Sequence, residues 1–353
     1  MVLLLSSLDL SRQRDQHDAL QTQKLLDQCL TLLSRRIQDA VASVSDHTVV
    51  AVATLAVIEH DRGNVRALKT HGEGLKRIVE LRGGLDAIRQ TNPMAANLVF
   101  WCALVGMDEP HILPLTYSSQ EDRTSTRLSG LESTTLRTHD GGVADLLAFG
   151  VDAVTASILH EVQRLSKLYI SVLDSPSPEQ GITVLSSLCL IVQHLLQSSQ
   201  SESHDSPTPG LSRSCRLAGC LHIFAPLSGY FPDPTLLLHT LTTDLKTALT
   251  RFLHAAGTNS HLLLWLLAVG GITAHAMPAE RLWYISHLVV VTADLGIASW
   301  AQMRRHLVAL AFHDNFCDVS FRALWQEVWR RREALLVGGP DERALVSGNE
   351  GGL

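Results

Sequence analysis

The sequence predicts an all-α fold, a multi-helix array of antiparallel packed helices joined by polar loops. Three observations carry that reading. Leu supplies 60 of the 353 residues while Phe, Trp and Tyr together number only 18, a composition suited to a helical interior. Apolar residues recur three and four apart along most of the chain, with few alternating β-branched runs. Polar stretches rich in Ser, Pro and Gly separate these periodic segments. No segment reads convincingly as a strand.

The helices follow in order. Leu20, Leu25, Leu26, Cys29, Leu30, Leu33 and Ile37 form one stripe at helical spacing. A second helix starts near Ser45 and Asp46, whose side-chain oxygens suit an N-cap. A third opens at Asn64 and runs through Leu68, Leu75, Ile78 and Val79 to Arg82, where Gly83-Gly84 supplies a left-handed closing turn. Pro93, at a first-turn position, begins a helix from Met94 to Val105. Further helices are expected at about 143–173, 182–197, 234–256, 260–274, 279–295, 299–312 and 319–336. The stretches 118–142, 174–181 and 198–210 are too polar to offset the entropy of ordering and read as loops. The expected layout is an N-terminal extension at 1–17, a helical domain at 18–337 with a subdivision near 118–142, and a flexible Gly-rich tail at 338–353. At roughly 150 residues per domain the length allows about two domains, or equally one extended array. No fixed-length repeat supports a named solenoid.

Composition excludes several classes. The charged share of 18% lies under the ~25% of ordinary globular chains, while 46% apolar residues exclude a wholly disordered protein. Lys and Arg total 29 against 35 Asp and Glu, so a net charge of −6 provides no general cationic field for a phosphate backbone. Six dispersed Cys (Cys29, Cys102, Cys189, Cys215, Cys220, Cys317) suit a reducing interior. The opening Met-Val-Leu-Leu-Leu has no basic flank and stops at Ser6, short of the ~7–15 apolar residues of a signal core. The longest apolar stretch, Leu262 to Thr273, covers about half of the ~20 residues a span requires, so a buried helix and no membrane span are expected.

Candidate chemistry is sparse. Cys215, Cys220 and His222 have no second ligand pair of the kind a structural zinc site uses, and read as small or apolar residues near a helix end. No nucleophile elbow, H-E-x-x-H helix or P-loop occurs, and Gly72-Glu-Gly74 lacks a preceding strand. No catalytic residue, cofactor site or metal ligand is expected. Arg62, Arg66, Lys69, Lys76, Arg77 and Arg82 resemble a DNA-binding stripe, but Glu73 and Glu80 place Lys69/Glu73, Glu73/Arg77 and Lys76/Glu80 four apart. That spacing suits a solvated lattice of ion pairs worth roughly 0.2–0.5 kcal/mol each. His71, beside Leu68, Leu75 and Ile78, reads as a hydrogen-bonded, half-buried histidine rather than a pH switch or ligand contact. Arg330-Arg331-Arg332 is short for a nucleic-acid patch and suits the end of a helix, where cations are favoured.

Ala51 to Glu59, Gly63-Asn64, and the string His71-x-x-Gly74-Leu75-x-x-x-Val79-x-x-Arg82-Gly83-Gly84 together resemble the regulatory domain of fungal Zn(II)2Cys6 transcription factors. Phe100-Trp101 with Gly106 and Pro110, Leu263 to Leu267, Leu295 to Trp300, and Leu324 to Val328 agree, so the resemblance spans roughly 20–332. It implies a non-enzymatic helical body whose motif residues are structural: Gly74 admitting a close helix, Leu75 and Val79 buried, Arg82 donating to carbonyls or a carboxylate, Gly83 and Gly84 capping. It also implies a nuclear protein, shuttling with the cytoplasm, that meets protein partners as a homo- or heterodimer. The family's DNA-reading module carries two C-x₂-C-x₆-C runs on a basic segment, and no such run precedes Leu20. The expectation is therefore a regulator's body without its own zinc cluster or direct DNA binding, either from a truncated gene or in a relative acting through protein contacts. The similarity to sterol-uptake regulators adds two alternatives, a sensor of an apolar small molecule and an inhibitory partner of an intact regulator.

Overall fold

A computed structural model describes residues 17–106, 146–174, 178–197, 210–227, 234–255, 261–310 and 318–337. The fold is all-α, with no strand among the described residues. These residues belong to two compact units, one holding 17–106 and the other 146–337. The segments read from sequence as the 118–142 subdivision and the 338–353 tail lie outside the described residues, as do residues 1–16 of the extension and 198–209 of the third polar stretch.

The first unit comprises α1 (His17–Ile37), a 3₁₀ turn (Ala42–Val44), α2 (Asp46–Asp61), α3 (Val65–Leu81), α4 (Leu85–Thr91) and α5 (Pro93–Gly106). Helix α2 is its centre because it is apolar on nearly every face: Val49, Val52, Ala53, Leu55, Ala56 and Ile58 are all buried, with α3 and α5 packed against it. The Cys102 thiol on α5 donates to the Ala53 carbonyl on α2 at 3.1 Å. Ser45 precedes α2 but does not cap it with its side chain, because its hydroxyl turns back to the Ala42 carbonyl at 2.8 Å. Asn64 does cap α3, accepting from the Ala67 N–H at 3.3 Å. Helix α4, only seven residues long, is absent from the periodicity reading. Asn92 then caps α5 through the Ala95 N–H at 3.0 Å.

The second unit comprises α6 (Ala153–Asp174), α7 (Pro178–Gln197), α8 (Leu211–Leu227), α9 (Thr235–Ala255), α10 (His261–Thr273), a 3₁₀ turn (Ala274–Ala276), α11 (Pro278–Asp294), α12 (Trp300–Leu310) and α13 (Asp318–Val337). Its hub is α10, the apolar stretch expected to be a buried helix. Every residue from Leu262 to Gly271 is buried, against α8, α9, α11, α12 and α13. Two glycines bring those neighbours in: a Cβ at Gly270 would stand 2.3 Å from the Tyr284 ring, and one at Gly271 would stand 2.9 Å from Leu324 Cδ2. Tyr284 donates to the Thr242 carbonyl at 2.9 Å, satisfying its buried hydroxyl. Arg281 donates to the Gly271 carbonyl and grips Glu327 of α13 at 2.7 and 3.1 Å. No described helix is long and apolar enough to cross a membrane.

Three expectations need correction here. Helix α8 does not appear in the sequence reading, and the Cys215/Cys220/His222 group placed near a helix end lies along the body of this buried helix. The 174–181 stretch is largely helical, because α6 continues to Asp174 and α7 starts at Pro178, a residue tolerated in a first turn. Helix α6 starts at Ala153, later than its hydrophobic pattern, where Asp152 takes the Thr155 N–H at 2.8 Å and its hydroxyl at 2.7 Å.

Candidate functional site

The motif string is carried by α3 and the corner after it. Its amphipathic pattern buries Leu75, Ile78 and Val79 and leaves Arg66, Lys69, Glu73, Arg77 and Glu80 exposed. The solvated face is there, but the three Glu–Lys/Arg pairs four apart do not close to ion-pair distance among the described residues. Gly74 departs from its expected role. It is exposed, and a Cβ there meets nothing within 4 Å among the described residues, so no described helix packs closely against it.

At the end of α3 the chain turns through two positive φ angles, 86° at Gly83 and 97° at Gly84. The Gly84 N–H bonds the Val79 carbonyl at 2.9 Å and the Gly83 N–H bonds the Glu80 carbonyl at 3.0 Å, the pairing of a Schellman cap. That turn aims Arg82 at three other elements. Its Nη1 donates to the Val44 carbonyl (2.9 Å) and to Asp46 Oδ1 (2.6 Å), and its Nη2 donates to Thr91 Oγ1 (3.0 Å). The Asn92 amide adds a bond of 3.2 Å to Asp46 Oδ2. The guanidinium, and secondarily Asn92, hold the Asp46 carboxyl below the usual carboxylate range.

His71 is half-buried as expected but makes no hydrogen bond among the described residues. Burial holds its pKa below the ordinary histidine value, against the opposing pull of Glu59. Glu59 itself is buried, accepting from the Asn64 amide at 2.6 Å and facing Arg62 at 3.5 Å.

Nucleophile chemistry is not prepared at the buried thiols. Burial pushes Cys102 up to about 12 and raises Cys215 and Cys220 further, the opposite of what an activated thiolate requires. No three His, Cys, Asp or Glu side chains among the described residues stand together as a metal site. Arg330 to Arg332 lie within α13, which continues to Val337, not at its end. Arg332 donates to the Ile297 carbonyl at 2.8 Å and lies over the Trp329 ring.

The second unit bears an open recess of about 910 Å³ where the starts of α12 and α13 come together. Trp300, Gln302, Arg304, Arg305, Asp318 and Arg322 line it. Ser299 and Gln302 form a capping box: the Gln302 Oε1 accepts from the N–H groups of Ala298 (2.6 Å) and Ser299 (3.1 Å), and the Gln302 N–H donates to Ser299 Oγ (3.3 Å). Sequence reasoning does not single out Arg304, Arg305 or Arg322. The adjacent Arg pair is visible in the sequence, but only the packing of the helices makes it face a third arginine and an indole.

The contacts of the motif residues Leu75, Val79, Arg82, Gly83 and Gly84 are architectural ones within an all-α body. The chain belongs to the fungal specific transcription factor domain family, whose model matches residues 1–336. No curated protein and no solved structure matches it. Its role is accordingly one in transcription regulation.

Proposed function

We propose that the chain is the helical regulatory body of a nuclear transcription regulator, one that acts through protein contacts, as a homodimer or with an intact regulator, and does not itself read DNA sequence. The observation that carries this is the use of the family string. Leu75, Val79, Arg82, Gly83 and Gly84 build and close a helix corner, and the Arg82 guanidinium faces Val44, Asp46 and Thr91 instead of solvent. The exposed basic side chains of α3 are interleaved with Glu73 and Glu80, which a phosphate backbone would repel. Residues 18–337 form the regulatory region in this reading, with no catalytic role. Selection of random duplex DNA on the purified chain tests it. No sequence should be enriched at physiological salt, and an enriched motif would overturn the proposal.

The second reading, a sensor of an apolar sterol-like molecule, draws on α10. Its buried run from Leu262 to Gly271 offers one side-chain polar atom, the Trp265 Nε1, which has no hydrogen-bond partner among the described residues. Saturable binding of a labelled sterol, lost in Trp265→Phe with the fold intact, would put this reading first.

A further inference from the structure

We propose that the recess between the starts of α12 and α13 is a docking site for an acidic segment of a partner protein. Among the described residues, three guanidinium groups and one carboxylate line it. Asp318 is shared, at 3.3 Å from Arg322 and 3.9 Å from Arg304, and Arg305 has no carboxylate within ion-pair distance among the described residues. Arg322 is 56% exposed, so its head reaches the solvent from which an anion would approach. The Arg322 guanidinium stands 5.9 Å from the centre of the Trp300 ring, which orients it and provides an apolar wall beside the charge. The Trp300 indole N–H is buried and has no acceptor among the described residues.

The occupant follows from these features. Guanidinium forks match carboxylates in bidentate pairs, and a ring wall covers an apolar side chain between them. The recess, at about 910 Å³, is far larger than a single inorganic anion needs and takes several peptide residues. A nucleic acid fits less well, because Asp318 lies in the site and the chain as a whole carries −6. The inference names the partner chemistry for the protein-contact reading above, but it stands on the recess alone and can fail while DNA selection still returns no motif.

The test is fluorescence polarisation of the full chain with a short fluorescein-labelled peptide of alternating Glu and Leu. Binding should weaken as salt rises, and a Gln/Leu peptide of the same length should not bind. Arg305→Glu with Arg322→Glu should weaken binding by about tenfold or more, while Arg66→Glu, on the exposed face of α3, should leave it unchanged. Circular dichroism melts of each variant separate loss of binding from loss of fold. If the double variant melts early, Arg305→Gln alone, at an exposed position, carries the comparison. No binding by the folded chain, equal binding of the Gln/Leu peptide, or undiminished binding by the folded variant would overturn the assignment. So would displacement of the peptide by duplex DNA at concentrations where sodium chloride of equal ionic strength leaves it bound.

Discussion

Arg82 joins the end of α3 to the 3₁₀ turn, the start of α2 and the end of α4 through a single guanidinium, so its removal leaves several acceptors without their donor at once. Arg82→Ala should destabilise the first unit by about 2 kcal/mol, the scale of a lost charge-assisted hydrogen-bond set, and Arg82→Lys should recover only part of it. Chemical denaturation of the two variants measures the difference. The same corner sets a pH response. The carboxyl of Asp46 is held below its unfolded value by Arg82, so its contribution is complete above the unfolded pKa of about 4 and is lost as pH falls through the folded value. His71 is also held below its ordinary 6.5, which means the unfolded chain takes up that proton first. Stability should therefore decline as pH falls below about 6.5, and again below about 4. His71→Gln should remove the first decline and leave the second. A pH series of denaturant midpoints showing both declines in His71→Gln would contradict these assignments.

Among the elements, two glycine substitutions separate packing from propensity. Gly270→Ala on α10 puts a methyl 2.3 Å from the Tyr284 ring and should cost about 1–3 kcal/mol or more. Gly74→Ala, exposed in α3 with nothing within 4 Å, should stabilise by about 0.5–1 kcal/mol. Thermal melts that rank the two in the opposite order would refute the packing described for α10. Leu264→Ala, at a fully buried position of the same helix, should cost about 2–5 kcal/mol. These elements also show what sequence conveys. Helix α10 and the Gly83-Gly84 closure are legible because a long apolar run and a paired glycine each have one physical outcome. The Arg82 contact is foreseeable in kind, although its partners Asp46 and Val44 lie 36 and 38 positions away. Helix α4 is too short to display a period. Helix α8 mixes Ser212, Ser214, Cys215 and Arg216 with its leucines, and its burial on many sides leaves no clean polar face to mark it. Gly74 misleads because a glycine within a motif signals close approach only when a neighbour is present.

For the whole molecule, the low charge and abundant Leu are explained by helices buried on most faces, α2 in one unit and α10 in the other. Electrostatics enters in two ways: fixed pairs such as Arg82–Asp46 and Arg281–Glu327 join elements, while the Arg-lined recess faces outward. Family membership and the structural use of its signature make transcription regulation through protein contacts the central claim. Tethering the full chain to an unrelated DNA-binding module upstream of a reporter tests it most directly. The account predicts a several-fold change in reporter transcription relative to the module alone at equal promoter occupancy. Unchanged transcription at equal occupancy, with the chain folded and nuclear, would contradict it.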